Sequence, residues 1–223
     1  MNTTELKTKF PIPILYEDED VFVLDKPAGL AVQGGKNITR SLDALLEAHF
    51  SPRPLLVHRL DQNTSGAILV AKHKEAAAFF TKIIAGRRIQ KTYLAVCKKS
   101  PMLKPQSVIG ETITVKGEVK NAVTHYRTIA DAGDFALVEL TLETGRMHQI
   151  RRHLSALNAP VIGDDKYGDF TLNKALKKER HIKHLLLHSA RITFPAETGR
   201  VTVEVPLPPY FSTFAELITE THR

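Results

Sequence analysis

A chain of 223 residues, 43% apolar and 25% charged, is long enough for one large domain or two small ones with a sizeable core. Its formal net charge of +7 and pI of about 9.5 favour a polyanionic partner. A single cysteine, Cys97, excludes an internal disulfide framework and a cysteine-rich metal site. No apolar run is long enough to span a bilayer, and Met1 to Lys9 lacks a secretory hydrophobic region, so no membrane partner is predicted and the cytoplasm is the expected compartment.

In chain order, residues 1–13 end in Phe10-Pro11-Ile12-Pro13, where alternating prolines disfavour helix and predict an extended N-terminal arm. The remainder, 14–223, is expected to form one domain. Val21 to Asp25 is a short strand closed by the turn Lys26-Pro27-Ala28-Gly29. Ser41 is placed to cap a helix carrying Leu42, Leu45, Leu46 and His49. A loop at 58–66 leads into the apolar strand that follows Gly66.

Lys74 to Ala85 is a helix by the spacing of Ala76, Phe79, Phe80, Ile83 and Ile84, stopped by Gly86. Lys91 to Cys97 is a strand, and its apolar surroundings predict a buried, inert thiol at Cys97. Ser100 to Pro105 is a loop. Val123 to Ile129 and Phe135 to Leu142 pair across the turn Asp131-Ala132-Gly133-Asp134. Helices follow at Met147 to Leu157 and at the basic stretch Asn173 to Lys183. Leu185 to Phe194 and Val201 to Val205 form a closing β pair, and a last amphipathic helix carries Phe211, Phe214, Ala215 and Ile218. The fold class predicted is α+β, a mixed, mainly antiparallel sheet with flanking helices. No glycine-rich phosphate loop occurs, so no nucleotide cofactor is expected.

The stretch His58-Arg59-Leu60-Asp61-Gln62-Asn63-Thr64-Ser65-Gly66 sets an acid beside a base at the entrance to a buried strand. A carboxylate there suits a nucleophile or an acid/base, while on spacing alone an Asx turn closing on Thr64 is the commoner outcome. The run Asp61-x-Asn63-x-Ser65-Gly66 imitates a calcium loop, but its twelfth position is Lys72 where a bidentate glutamate is required. His58, His148 and His153 lack metal-ligand spacing, so no metal is expected. A serine nucleophile elbow is absent.

In the helix from Met147, Arg151 lies inside the stripe Met147, Ile150, Leu154 and Leu157. A guanidinium facing a core needs a carboxylate, and Asp61 is the best-motivated partner; it would hold that acid ionised. Alternatively Arg151 snorkels to solvent along its stem. Arg87, Arg88 and Lys91 beside Tyr93 join cations to a ring at a helix-to-strand corner, suited to phosphates and to a base that has left its stack. Lys174, Lys178, Arg180 and His184 add a second basic surface. The competing reading of both is a solvated charged face, with Tyr93 in the core.

Four ordered motifs then resemble the RluA family of pseudouridine synthases, close to its ribosomal RluC and RluD branch. His58 to Gly66 is similar to the family's H-R-L-D-x-x-T-S-G motif, and Lys91-Thr92-Tyr93 to K-x-Y. Gly145-Arg146-Met147-His148-Gln149-Ile150-Arg151 is similar to G-R-x-H-Q-I-R, and Asp25 to Gly29 to D-K-P-x-G. Ala159 to Gly168 and Leu186 to Ala190 resemble later family segments, with Ser189 where alanine is common. The likeness runs from Ile14 to Pro206.

The resemblance implies an RNA-modifying isomerase with the pseudouridine synthase fold. Asp61 would be its catalytic aspartate, Tyr93 the ring stacking on the uracil, and Arg151 the partner of the aspartate. Arg59 would hold the flipped nucleotide or fill its place, and Ile150 would pack on the base. It further implies no cofactor or metal and RNA as partner; a monomer is expected. The stretch Asp164 to Leu176 looks closest to relatives of the ribosomal kind, so large-subunit ribosomal RNA is the favoured target and transfer RNA the runner-up. The first motif stands too near the start for a separate S4-type RNA-binding module, so target choice is expected to rest on the catalytic domain or its arm. Two other functions compete. One is a non-catalytic RNA-binding factor on the same fold. The other is a glycoside or nucleoside hydrolase, which would want a second carboxylate near Asp61.

Overall fold

The computed structural model describes residues 10–35, 38–115, 118–197 and 199–221. The chain divides into two compact units, one of Met1–Ile89 with Arg191–Val205 and one of Gln90–Ala190 with Pro206–Arg223.

In the first unit β1 (Ile14–Glu17), β2 (Val21–Lys26), β3 (Leu55–Leu56) and β4 (Ser65–Ala71) form antiparallel pairs β1–β2, β2–β4 and β3–β4. All seven residues of β4 are buried, as its unbroken apolar run requires. Helix α1 (Leu42–His49) starts at Ser41, whose hydroxyl accepts from the Ala44 N–H, a side-chain cap for an otherwise orphaned donor. Helix α2 (Lys74–Ala85) presses Ala76, Phe80 and Ile83 onto Val21, Val23 and Leu69. Phe79 of the predicted stripe is 46% exposed instead. Ile192 and Phe194 enter the same core from the end of β9 (Leu187–Ala196), which pairs antiparallel with β10 (Gly199–Glu204).

Phe10 and Ile12 are buried, and Phe10 meets the rings of His49 and Phe50 edge-on at 5.6 and 5.1 Å. That end of the predicted arm is therefore packed; residues 1–9 of it lie outside the described residues.

The second unit is built on β5 (Gln90–Lys98), β6 (Gln106–Val115), β7 (Glu118–Ala132) and β8 (Phe135–Leu142), paired antiparallel as β5–β8–β7–β6. The sequence reading missed β6. It also cut β7 short, because the strand runs from Glu118 through the predicted turn residues Asp131 and Ala132. Helix α3 (Gln149–Ala156), helix α4 (Phe170–Arg180) and helix α5 (Pro209–Thr221) complete it. Val96, Leu137, Leu186, Phe211 and Phe214 share one core cluster. Cys97 is fully buried, and burial pushes its thiol up to about 12, so it is the inert apolar residue expected. Among the described residues no helix is long and apolar enough to cross a membrane.

Candidate active site

Asp61 sits in the loop between β3 and β4, and that loop is tied to the turn after β2. Gly29 donates its N–H to the Gln62 carbonyl at 2.9 Å, and the Gln62 amide returns a bond to the Gly29 carbonyl at 3.1 Å. Beneath them Lys26, fully buried, donates from Nζ to the carbonyls of Pro27, Leu30 and Gln62 at 2.9, 2.8 and 3.0 Å. Three acceptors match the three hydrogens of an ammonium. Burial nevertheless pushes Lys26 down to about 7, against the opposing pull of Asp61 and Asp25.

The D-K-P-x-G turn thus acts as a clamp on the residue next to Asp61. The tight turn closes through the backbone, Thr64 N–H to Asp61 carbonyl at 3.1 Å. His58 accepts the Leu69 N–H through Nε2 at 2.9 Å, fixing the loop's first residue to β4. Asp61 itself is half-buried, and Arg59 is exposed.

In the second unit, Tyr93 is 6% exposed on β5. Lys91, two residues earlier, is half-buried, and burial pushes its ammonium down to about 8. Ile150 and Arg151 are both 4% exposed on α3. That helix begins two residues later than the apolar stripe predicts, because His148 is left-handed (φ 53°). Met147 falls outside it and is exposed.

The buried Gln149 side chain does the work of a cap. Its amide oxygen accepts from the Thr144 hydroxyl (2.8 Å) and the Arg146 N–H (3.0 Å), and its NH₂ donates to the Val123 carbonyl (3.0 Å) and the Thr124 hydroxyl (2.9 Å). The helix start is thereby bolted to β7. The same Thr124 hydroxyl shares a hydrogen bond with His153 Nδ1 at 2.9 Å. On its other side His153 turns Nε2 toward Glu111, 3.5 Å away.

Arg151 does not snorkel. It forms a two-pronged pair with Asp164, Nε to Oδ2 and an NH₂ group to Oδ1, both 2.7 Å, and also reaches Asp165 at 3.0 Å. Such fork-on-fork contacts are the stronger kind of charged hydrogen bond. Burial alone would raise the Asp164 carboxyl, but Arg151 and the N–H groups of Tyr167 and Lys166 hold it below its ordinary range. The Tyr167 ring lies 5.3 Å from the guanidinium carbon, and its hydroxyl shares a hydrogen bond with His148 Nδ1 at 3.2 Å.

The Asp164 loop is shaped by two glycines. A Cβ at the left-handed Gly163 would stand 2.0 Å from the His184 carbonyl, and one at Gly168 2.2 Å from that of Asp164. Asp164 is a residue that sequence reading missed. The clue available was an acid in a Gly-Asp-Asp turn just beyond the helix carrying a core-facing arginine.

Lys174, Lys178 and Arg180 are exposed on α4 and just before its end, and His184 is exposed with its ring 4.5 Å from that of Tyr210. Helix α4 starts three residues earlier than predicted because Asp169 caps it, accepting the Leu172 N–H at 3.0 Å. Arg87 and Arg88 are exposed just past α2. Among the described residues there is no group of three or more metal-ligating side chains.

Residues 20–156 match the protein family described as RNA pseudouridylate synthase. The chain is 33% identical over 219 residues to ribosomal large subunit pseudouridine synthase C of Rickettsia bellii, covering 89% of this chain and 69% of that one. An uncharacterized RNA pseudouridine synthase of Bacillus subtilis is 34% identical over 232 residues, with 95% and 73% covered. Among solved structures, human RNA pseudouridylate synthase domain containing 4 superposes with a TM-score of 0.76 at 28% identity, covering 96% of this chain and 95% of its own.

Proposed function

This chain belongs to the RNA pseudouridylate synthase family, and from that premise we propose that it isomerises particular uridines of large-subunit ribosomal RNA, with Asp61 as the catalytic carboxylate. The reaction breaks the bond between the ribose C1′ and uracil N1, turns the base, and joins C1′ to C5; the C5 proton leaves and N1 ends protonated. No atom enters or departs overall.

The observation that supports this reading best is the clamped loop. Asp61 stands half-buried at the mouth of a wholly buried strand, on a loop whose neighbour Gln62 is fixed by Lys26 and Gly29. A carboxylate that must meet a reacting atom benefits from such prior placement, since positioning can supply a large part of a rate enhancement. We assign Tyr93 to stacking on the uracil, Ile150 to packing on it, Arg59 to the flipped nucleotide and Arg151 to the cation that steadies Asp61. Cations at Arg87, Arg88, Lys91, Lys174, Lys178, Arg180 and His184 would offset the few kcal/mol (~2–4) that extruding a base costs by gripping phosphates.

The choice of ribosomal RNA follows the names of the bacterial relatives. Purified protein incubated with large-subunit transcripts should form pseudouridine. Asp61→Asn should bind the same transcripts with unchanged affinity and leave every uridine intact. Turnover by that variant at the wild-type rate would remove Asp61 from the chemistry. Modification of transfer RNA alone would move the target to that class.

A further inference from the structure

Helix α4 turns one face inward, where Leu176 is buried. Its opposite face carries Phe170, Lys174, Lys177 and Lys178, at i, i+4, i+7 and i+8, all of them exposed. Phe170 heads that row with 61% of its surface open to solvent. A single exposed apolar residue is ordinary on a protein surface. Phe170 differs in the rigidity of its mounting and in the charge that surrounds it.

The first turn of α4 is fastened to the loop that holds Arg151. The Asn173 amide oxygen accepts the Gly163 N–H at 2.9 Å, and its NH₂ donates to the Asp164 carbonyl at 2.9 Å. Asp169, next to Phe170, accepts from the Leu172 N–H at 3.0 Å and from Lys98 Nζ at 2.9 Å. A ring on so firm a base gives up little conformational freedom when a ligand covers it. It also stands near the candidate site. Tyr167, whose ring is 5.3 Å from the Arg151 guanidinium carbon, is only three residues away, a reach of at most about 11 Å of chain.

The acids of this region are engaged, Asp169 by Lys98 and the helix cap, Asp164 and Asp165 by Arg151. Glu179 lies half a turn around the helix from Phe170. Lys166, Lys174, Lys177 and Lys178 are exposed and leave the surface about the ring positive. An unpaired stretch of RNA offers both complements at once, flat apolar base faces and a row of phosphates. A ring beside a line of cations is the arrangement that holds single strands, and stacking on it tolerates any base.

We infer that Phe170 is a stacking platform for an unpaired base of the RNA substrate, a second base site apart from the one assigned to the reacting uracil at Tyr93. This rests on the pseudouridine synthase reading above. The test uses the full-length protein with in vitro transcribed large-subunit ribosomal RNA, measuring melting temperature and affinity across a salt series. Phe170→Ala should melt at the wild-type temperature yet bind at least about five-fold more weakly. The slope of log affinity against log salt should stay as in the wild type, because stacking releases no counterions. Phe170→Tyr should keep wild-type affinity, and Phe170→Leu, apolar but not flat, should lose as much as Phe170→Ala. An Ala variant with wild-type affinity would overturn the inference and leave the ring to a protein partner. A Leu variant that binds like wild type would replace stacking by mere apolar contact, and a lowered melting temperature would give Phe170 a packing duty; either overturns it. Wild-type protein that neither binds nor modifies the transcript would instead overturn the parent reading, so the two failures are distinguishable.

Discussion

Removing one partner of a buried ion pair strips the other charge of its main counterpart at a place water scarcely reaches. Arg151 is 4% exposed and Asp164 fully buried, so Asp164→Ala should destabilise the fold by about 3–5 kcal/mol, measured by urea denaturation. A loss below about 1 kcal/mol would mean that solvent reaches the guanidinium. His153 makes a second residue-scale prediction. Burial holds its imidazole below the ordinary 6.5, against the opposing attraction of Glu111. As pH falls the unfolded chain therefore takes up the proton first, so stability should be flat above about pH 6.5 and decline below it. His153→Gln should flatten that decline below about pH 6.5; an unchanged slope would place its origin elsewhere. At this scale the sequence displayed that Arg151 faces a core and needs an acid, because helical spacing is periodic. It could not display Asp164, which is brought to the guanidinium by a turn between two glycines and not by any repeat.

Helix α2 carries a register prediction at the scale of the element. Phe80 is 2% exposed within the core of the first unit, while its neighbour Phe79 is 46% exposed and lies edge-on to it at 5.2 Å. Phe80→Ala should lose about 3–5 kcal/mol through the cavity it leaves, and Phe79→Ala no more than about 1 kcal/mol. Equal losses would contradict the helix orientation. The spacing 76, 79, 80, 83, 84 reads as one apolar stripe, but only the buried face of the helix can be covered by β-strands, and Phe79 falls at its margin. The same limit moved the start of α3. Met147 keeps the stripe's period, yet the left-handed His148 and the Gln149 amide begin the helix after it. Strand β6, with Ser107, Gly110 and Thr112 among its apolar residues, offers no alternation sharp enough to be read, and its identity comes from pairing with β7 over ten positions.

For the molecule as a whole, the α+β class and the mainly antiparallel pairing were legible because strands outnumber helices and recur without βαβ regularity. Family membership was legible for a different reason. Four motifs in fixed order are spread from Asp25 to Arg151, and loops that must hold a buried lysine, an acid and a helix-starting glutamine tolerate few other residues. The division into two compact units was hidden, because no proline-rich or glycine-rich linker separates Ile89 from Gln90 and the end of β9 returns to the first unit. The central claim, that this chain converts uridine in ribosomal RNA through Asp61, is tested most directly by mapping pseudouridines in total RNA from cells that lack the protein and from the same cells supplied with wild type or Asp61→Asn. The account predicts large-subunit ribosomal uridines that are converted only with the wild-type chain. Identical pseudouridine maps with and without the protein, or full restoration by Asp61→Asn, would contradict it.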